Sequence, residues 1–255
     1  MMTKNLIIKT AQPFFFPGNE VGCVLVHGFT GSPKEMRWIG EFLAKKGFSV
    51  IGVRLAGHAT QPEDLIRTRW WDWLASVEDG INLLHSHCKQ IFTIGLSMGG
   101  LLALLSASRY PINGVIGMST PFSLPDDWRL KFAKPISIFK PYIEKGPDDM
   151  KNRQAAKTHI DYPAYPIRSI VELNNLIEEM RSELSEIKIP VLLIHSEQDK
   201  SIPFESMQNI FQILKTKDKQ MVVLKKSSHV ITEDIEREIV FNKAFEFINN
   251  RISIA

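Results

Sequence analysis

The sequence predicts an α/β fold: a mostly parallel central sheet with helices on both faces and one long insertion. Three observations point there. Short continuous apolar runs, Val21–Val26 and Val191–Ile194, fit strands buried on both faces, as in parallel sheets. Such runs alternate with stretches of helical period as far as residue 118. A β-type run, Gln90–Ile94, then feeds a small-residue helical run, Gly100–Ala107, through Gly95-Leu96-Ser97-Met98-Gly99.

Taken in order, Phe14–Phe16 reads as an edge strand closed by the turn Pro17-Gly18-Asn19. The strand Val21–Val26 ends in His27-Gly28-Phe29-Thr30-Gly31. A helix is expected from about Pro33 to Lys46, with Pro33 suited to the first turn and Gly47 closing it. Phe48–Val53 is the next strand, followed by the loop Arg54–Ala59. Trp70, Trp73, Leu74, Val77, Ile81 and Leu84 recur every three or four residues and predict a helix from Trp70 to Cys88. The helix after Ser97 runs to Arg109, and Gly114–Met118 is a further strand. The alternation stops near Ser119. From Pro121 to Ile187 the chain is rich in Pro, Lys, Asp and aromatic residues, with a helix from about Ser169 to Leu184. Roughly 70 residues is too long for a simple connection. Residues 121–187 are therefore read as an inserted lid on a core of residues 1–120 and 188–255. The core resumes with the strand Val191–His195, a helix Pro203–Leu214 and the strand Gln220–Leu224. A final helix is expected over Thr232–Asn250, with Thr232 as N-cap and Glu233 and Asp234 near the positive end of its dipole.

Composition excludes several classes. The 255 residues carry 31 basic and 28 acidic side chains, a balance that argues against nucleic acid. No apolar run approaches the roughly 18 residues of a membrane span. Residues 1–9 show no apolar segment or cleavage site of a signal peptide. Cys23 and Cys88, in a strand and at a helix end, do not suggest a disulfide framework, so the expected compartment is cytoplasmic.

A strand entering a helix through Gly-x-Ser-x-Gly is the nucleophile elbow of the α/β-hydrolase fold. A serine hydroxyl needs a neighbouring base, and the base needs a carboxylate to fix its tautomer. In this fold they follow in the order Ser, acid, His. Of the seven histidines, His229 alone lies in a loop after the final strand, in Ser227-Ser228-His229-Val230-Ile231. His27, His58, His85, His87, His159 and His195 are read as loop hydrogen-bonders or solvated helix residues. The acid comes from Glu197 or Asp199; Asp199, at the end of its loop, is preferred. The oxyanion needs two N–H donors. Met98 N–H follows the nucleophile, and Phe29 N–H lies in the loop after the first buried strand. His27 is read as shaping that loop. No metal or organic cofactor is called for.

His27-Gly28-Phe29-Thr30-Gly31, Arg54-Leu55-Ala56-Gly57-His58, Gly95-Leu96-Ser97-Met98-Gly99-Gly100 and Ser228-His229-Val230 together resemble the bacterial monoacylglycerol lipases and small carboxylesterases of bacilli. The resemblance runs from about Phe14 to the C-terminus. It implies a lid-bearing serine esterase acting on monoacylglycerols or short to medium acyl esters, with Ser97, Asp199 and His229 as nucleophile, acid and base. One loop departs from the family's frequent Lys-Gly-His-Gly and reads Ala56-Gly57-His58-Ala59. The insertion matches least, so no residue that would hold the alcohol moiety is carried over. Phe122, Trp128, Phe132, Ile136, Ile138 and Phe139 suit either an acyl chain or packing on the core. Monoglycerides partition into lipid, which leaves room for transient contact of the lid with a lipid surface. General carboxylesterase, lysophospholipase and thioesterase activities remain alternatives, as does a catalytically idle relative that binds a small ligand. Oligomeric state is not legible in the sequence.

Overall fold

Seven strands form one sheet in the computed structural model, which describes residues 6–124, 141–146 and 149–252. They are β1 (Phe14–Phe16), β2 (Val21–Val26), β3 (Ser49–Val53), β4 (Gln90–Leu96), β5 (Gly114–Met118), β8 (Val191–Ser196) and β9 (Lys219–Leu224). A separate antiparallel pair, β6 (Tyr142–Glu144) and β7 (Ala164–Pro166), lies in the insertion. The sheet order is β1-β3-β2-β4-β5-β8-β9. Only β1 runs antiparallel to its neighbour, along the edge.

The topology places the site. From β2 the chain moves outward to β3, then crosses back past β2 to β4. The direction of winding therefore reverses between β2 and β4, and a crevice opens at their carboxyl ends. Val26 pairs with Gly95 and Leu96 with Met118, so the loops at 27–31, 97 and 119 leave the sheet side by side.

Two cores flank the sheet. Along β2, Val24 and Val26 pack on one face while Cys23 and Leu25 pack on the other, the period of two that a strand dictates. One face is covered by α1 (Arg37–Lys45) and the C-terminal helix, Arg237–Asn249, through Ile39, Leu43, Val240 and Phe241. The other is covered by α3 (Trp70–His85), which follows the short α2 (Pro62–Arg67), by α4 (Met98–Arg109) and by the helices Ile167–Glu183 and Glu205–Ile213. Leu176, Ile177 and Met180 of the insertion's helix are buried in the same cluster as Leu101 and Leu105 of α4. Of the six aromatic and aliphatic residues singled out in the insertion, Phe122 is half-buried against this core, with Arg181 over its ring at 4.4 Å. Trp128, Phe132, Ile136, Ile138 and Phe139 lie outside the described residues.

Two expectations change. The helix expected from Pro33 opens as a 3-10 turn, Pro33–Met36, before α1 begins. The last helix starts at Arg237, not Thr232. Thr232 is buried with no partner for its hydroxyl among the described residues, so it caps nothing. The reason is tertiary. The Asp234 carboxylate accepts from Ser228 N at 2.6 Å, Ser228 Oγ at 2.7 Å and Asn152 N at 2.7 Å. That holds residues 232–236 in turns that face the insertion. No helix among the described residues is long and apolar enough to cross a membrane.

Leu176 is fully buried between the insertion's helix and α4. Leu176→Ala should cost about 2–5 kcal/mol of unfolding free energy in urea titration, the range for a leucine truncated in a core that cannot close. A loss below about 1 kcal/mol would mean that this helix sits loosely on the sheet.

Candidate active site

Ser97 sits where β4 turns into α4, at φ 56° and ψ −118°. A non-glycine residue rarely takes this left-handed region, and the surroundings must impose it. They do so by close approach. A Cβ on Gly95 would lie 1.9 Å from Gly99 O, and one on Gly99 would lie 2.2 Å from Val26 O. Ser97 N continues the ladder by donating to Met118 O at 2.7 Å, and Ser97 O accepts from Gly100 N at 2.8 Å. Ser97 is half-buried between the fully buried Leu96 and Met98. Met98 is the first residue of α4, so its N–H has no intrahelical acceptor.

The loop after β2 lies against this turn. A Cβ on Gly28 would be 3.5 Å from Ser97 Cβ. His27 is buried and spans the loop: Nδ1 is 2.9 Å from Gly28 O, and Nε2 accepts from Leu55 N at 3.2 Å. Burial, with a smaller effect from Arg54, holds its imidazole down near 4, against the pull of Gly28 O. His27 is therefore neutral at pH 7, with Nδ1 the donor. Phe29 N–H finds no acceptor among the described residues, and its ring stacks on Tyr165 at 5.9 Å and 7°.

Asp199 and His229 meet across the carboxyl ends of β8 and β9. His229 Nδ1 donates to Asp199 Oδ2 at 2.7 Å, and the carboxylate side chain is fully buried. Asp199 Oδ1 accepts from Ser201 N and Ile202 N, each at 2.9 Å. Burial opposes its ionisation. The His229 charge, the bonds from His195 and His229 and the Ile202 N–H outweigh it and hold the carboxyl well below the usual range. Burial likewise opposes a charged His229, but Asp199 raises it above the ordinary 6.5. The loop is tied to the end of β5, since Ser119 Oγ donates to His229 O at 2.9 Å and the neighbouring Met118 O accepts from Ser97 N. Glu197, the other acid considered, pairs at the surface with Lys225 instead.

Sequence reasoning missed two sets of contacts. His195, four residues before Asp199, places Nε2 3.2 Å from Asp199 Oδ2 and 3.1 Å from Ile202 O. Buried Glu35 and Glu233 and half-buried His159 form a cluster behind the 27–31 loop. Their positions are 124 and 74 residues apart, so no local pattern marks them.

A parallel sheet that reverses its winding at a strained strand-turn-helix serine, with a His–Asp pair from the last two strands, defines an α/β-hydrolase. The chain belongs to the Hydrolase_4 family, whose model, described as serine aminopeptidase S33, matches residues 19–236. It is 34% identical to the thermostable monoacylglycerol lipase of Bacillus sp. (strain H-257), over 94% of this chain and 95% of that one. It is 29% identical to the carboxylesterase of Bacillus subtilis (strain 168), over 94% and 97%. A solved metagenome-derived lipolytic enzyme superposes with a TM-score of 0.90 at 27% identity, covering 96% of this chain and 99% of that one. The monoacylglycerol lipase of Paleococcus ferrophilus shares the fold at 0.81 and 23% identity, over 94% and 99%.

A base at His229 works only when unprotonated, and Asp199 raises its pKa. The acid limb of kcat/KM on an activated ester should therefore lie above 6.5 in wild type. Asp199→Asn removes the charge that raises it, so the limb should move to lower pH while kcat falls on the order of 10³–10⁴-fold. A limb that stays in place would mean that another group titrates.

Proposed function

We propose that this protein is a serine esterase that hydrolyses monoacylglycerols to glycerol and fatty acid. The observation that carries the reading is the His229–Asp199 hydrogen bond, on a loop bonded to Ser119, next in sequence to the Met118 that accepts from the strained Ser97. The two curated relatives, each matched over 94% of the chain, support an ester as substrate.

In this reading Ser97 Oγ attacks the ester carbonyl while His229 Nε2 takes its proton. Asp199 keeps the proton of His229 on Nδ1, leaving Nε2 free to accept, and stabilises the imidazolium that forms. The negative charge on the carbonyl oxygen is received by Phe29 N–H and Met98 N–H. Collapse expels the alcohol, which takes the proton back from His229 and leaves an acyl-Ser97. Water, deprotonated by His229, attacks the acyl carbon; the bond to Ser97 Oγ breaks, Ser97 takes the proton back from His229, and the acid is released. Each step is a proton or acyl transfer among these groups.

Residues 121–187 act as a lid in this reading. What supports it is contact with the oxyanion loop: Tyr165 stacks on Phe29, and Tyr162 N donates to Thr30 O at 2.9 Å. A lid that rests on the loop lies where an acyl chain bound to Ser97 must run.

The test is a 1-monoacylglycerol series of rising chain length, beside matched p-nitrophenyl esters, di- and triacylglycerols, and aminoacyl-p-nitroanilides. Monoacylglycerols should be turned over at least tenfold faster than the other glycerides. Ser97→Ala should lower that turnover by about 10⁴-fold or more. Turnover of small activated esters alone would make this a general carboxylesterase. Cleavage of the anilides alone would favour the peptidase description of the family model.

A further inference from the structure

Phe29 N–H can serve an oxyanion only if its peptide plane is held. That plane contains Gly28 O, because the peptide unit is rigid. His27 Nδ1 bonds Gly28 O on one side. On the other, Gly28 N donates to Glu35 Oε2 at 2.8 Å. Gly28 lacks a Cβ, so these two bonds replace the steric limits another residue would have. Glu35 is 4% exposed, and a buried carboxylate needs a counter-charge. His159 supplies it from the insertion. Its Nε2 lies 3.7 Å from Glu35 Oε1, and its Nδ1 bonds Glu233 Oε2 at 2.7 Å.

We propose that His159 is a positioning residue for the oxyanion loop: anchored on Glu233 and carrying a positive charge, it fixes the ionised Glu35 that receives the Gly28 N–H. The proposal rests on the reading of Phe29 N–H as an oxyanion donor. The insertion bonds to this part of the chain at further points. Ser32 Oγ donates to Ile160 O at 3.0 Å, and Lys145 Nζ donates to Thr30 Oγ1 at 2.6 Å. Thr30, at φ 63°, is itself held in a left-handed conformation.

The surrounding charges agree. Glu35, Glu233 and Asp161 act on His159; Lys145 is paired with Asp161, and Lys34 bonds Thr158 O. Burial opposes the imidazolium, but the bond to Glu233 and the charges of Glu35, Glu233 and Asp161 raise it to about 9. Burial pushes Glu35 up to about 7, against the pull of His159 and Gly28 N–H. Once His159 is neutral, the Glu35 carboxylate loses its counter-charge. Where His159 is replaced, burial favours a protonated Glu35, a poorer acceptor for Gly28 N–H; in wild type above the His159 pKa, Glu35 and Glu233 instead face a neutral ring as uncompensated carboxylates.

The experiment follows p-nitrophenyl butyrate hydrolysis from pH 5 to 10 in wild type, His159→Gln, Glu35→Ala and the double variant. It adds the inhibition constant of an aliphatic trifluoromethyl ketone, whose serine adduct carries the oxyanion. Wild-type kcat should decline above about pH 9. His159→Gln should lose about 10–100-fold in kcat and in ketone affinity, with KM changed less than about threefold. The double variant should be no slower than Glu35→Ala alone, because both act through one bond. Ketone affinity and kcat within twofold of wild type in His159→Gln would overturn the proposal, as would losses that multiply. If His159→Gln does not fold, Glu233→Gln decides, because it releases the anchor of His159: kcat and ketone affinity within twofold of wild type would overturn the proposal. Ser97→Ala separates the two readings. If it matches wild type, the esterase reading fails and the proposal falls with it. If it is inactive while His159→Gln is unimpaired, only the proposal fails.

Discussion

Ser97 holds a backbone conformation that costs free energy, of order 1–3 kcal/mol, and the structure around it exists to keep it there. β4 lies between β2 and β5, with its ladder to β5 running on to Ser97 N. α4 starts at once and crosses so close that Gly95 and Gly99 leave no space for a Cβ. A Cβ on Gly100 would likewise meet Thr120 Oγ1 at 2.0 Å, which binds the helix to the loop after β5. The hydroxyl is thereby set at the carboxyl end of the sheet, where the winding reverses and neighbouring loops converge.

Around that fixed point the structure spends buried charge in two places, each a histidine with carboxylates. Asp199 sits under His229 with backbone amides on its free oxygen, so it stays ionised and the ring stays oriented. Glu35 sits behind the 27–31 loop, with His159 and Glu233 beyond it. Isolated charges at such depth would be prohibitive; hydrogen-bonded pairs are tolerable and geometrically exact in their demands. The second cluster draws on the insertion, and Asp234 ties residues 151 and 152 to the loop of His229 as well. The insertion is thus bonded to both loops of the site.

Much of this was legible in the sequence because local chemistry forces it. Strands buried on both faces leave unbroken apolar runs, and 21–26, 90–96 and 191–196 lie where those runs lie. Gly95 is required by its contact with Gly99 four residues on, whereas Gly99 is required by the close approach of Val26 on the neighbouring strand. The order of acid and base singles out Asp199 and His229, the pair the structure hydrogen-bonds. What was not legible depends on distant partners. Thr232, Glu233 and Asp234 carry the signature of a helix start, yet Asn152 and Ser228 draw Asp234 into a turn. Glu35 reads as an acid in a helix's first turn, and only the fold reveals Gly28 and His159 on either side of it. His195 precedes the acid in the chain, so the order Ser, acid, His gives it no part, though the end of β8 brings it to the same carboxylate.

The central claim is that Ser97 is the nucleophile, and the most direct measurement is covalent. Wild-type protein treated with an alkyl fluorophosphonate at pH 8 would be digested and its peptides sequenced by mass spectrometry. The account predicts one adduct per chain, on Ser97, and loss of activity in proportion to labelling. An adduct on another serine, or full inactivation with Ser97 unmodified, would contradict it.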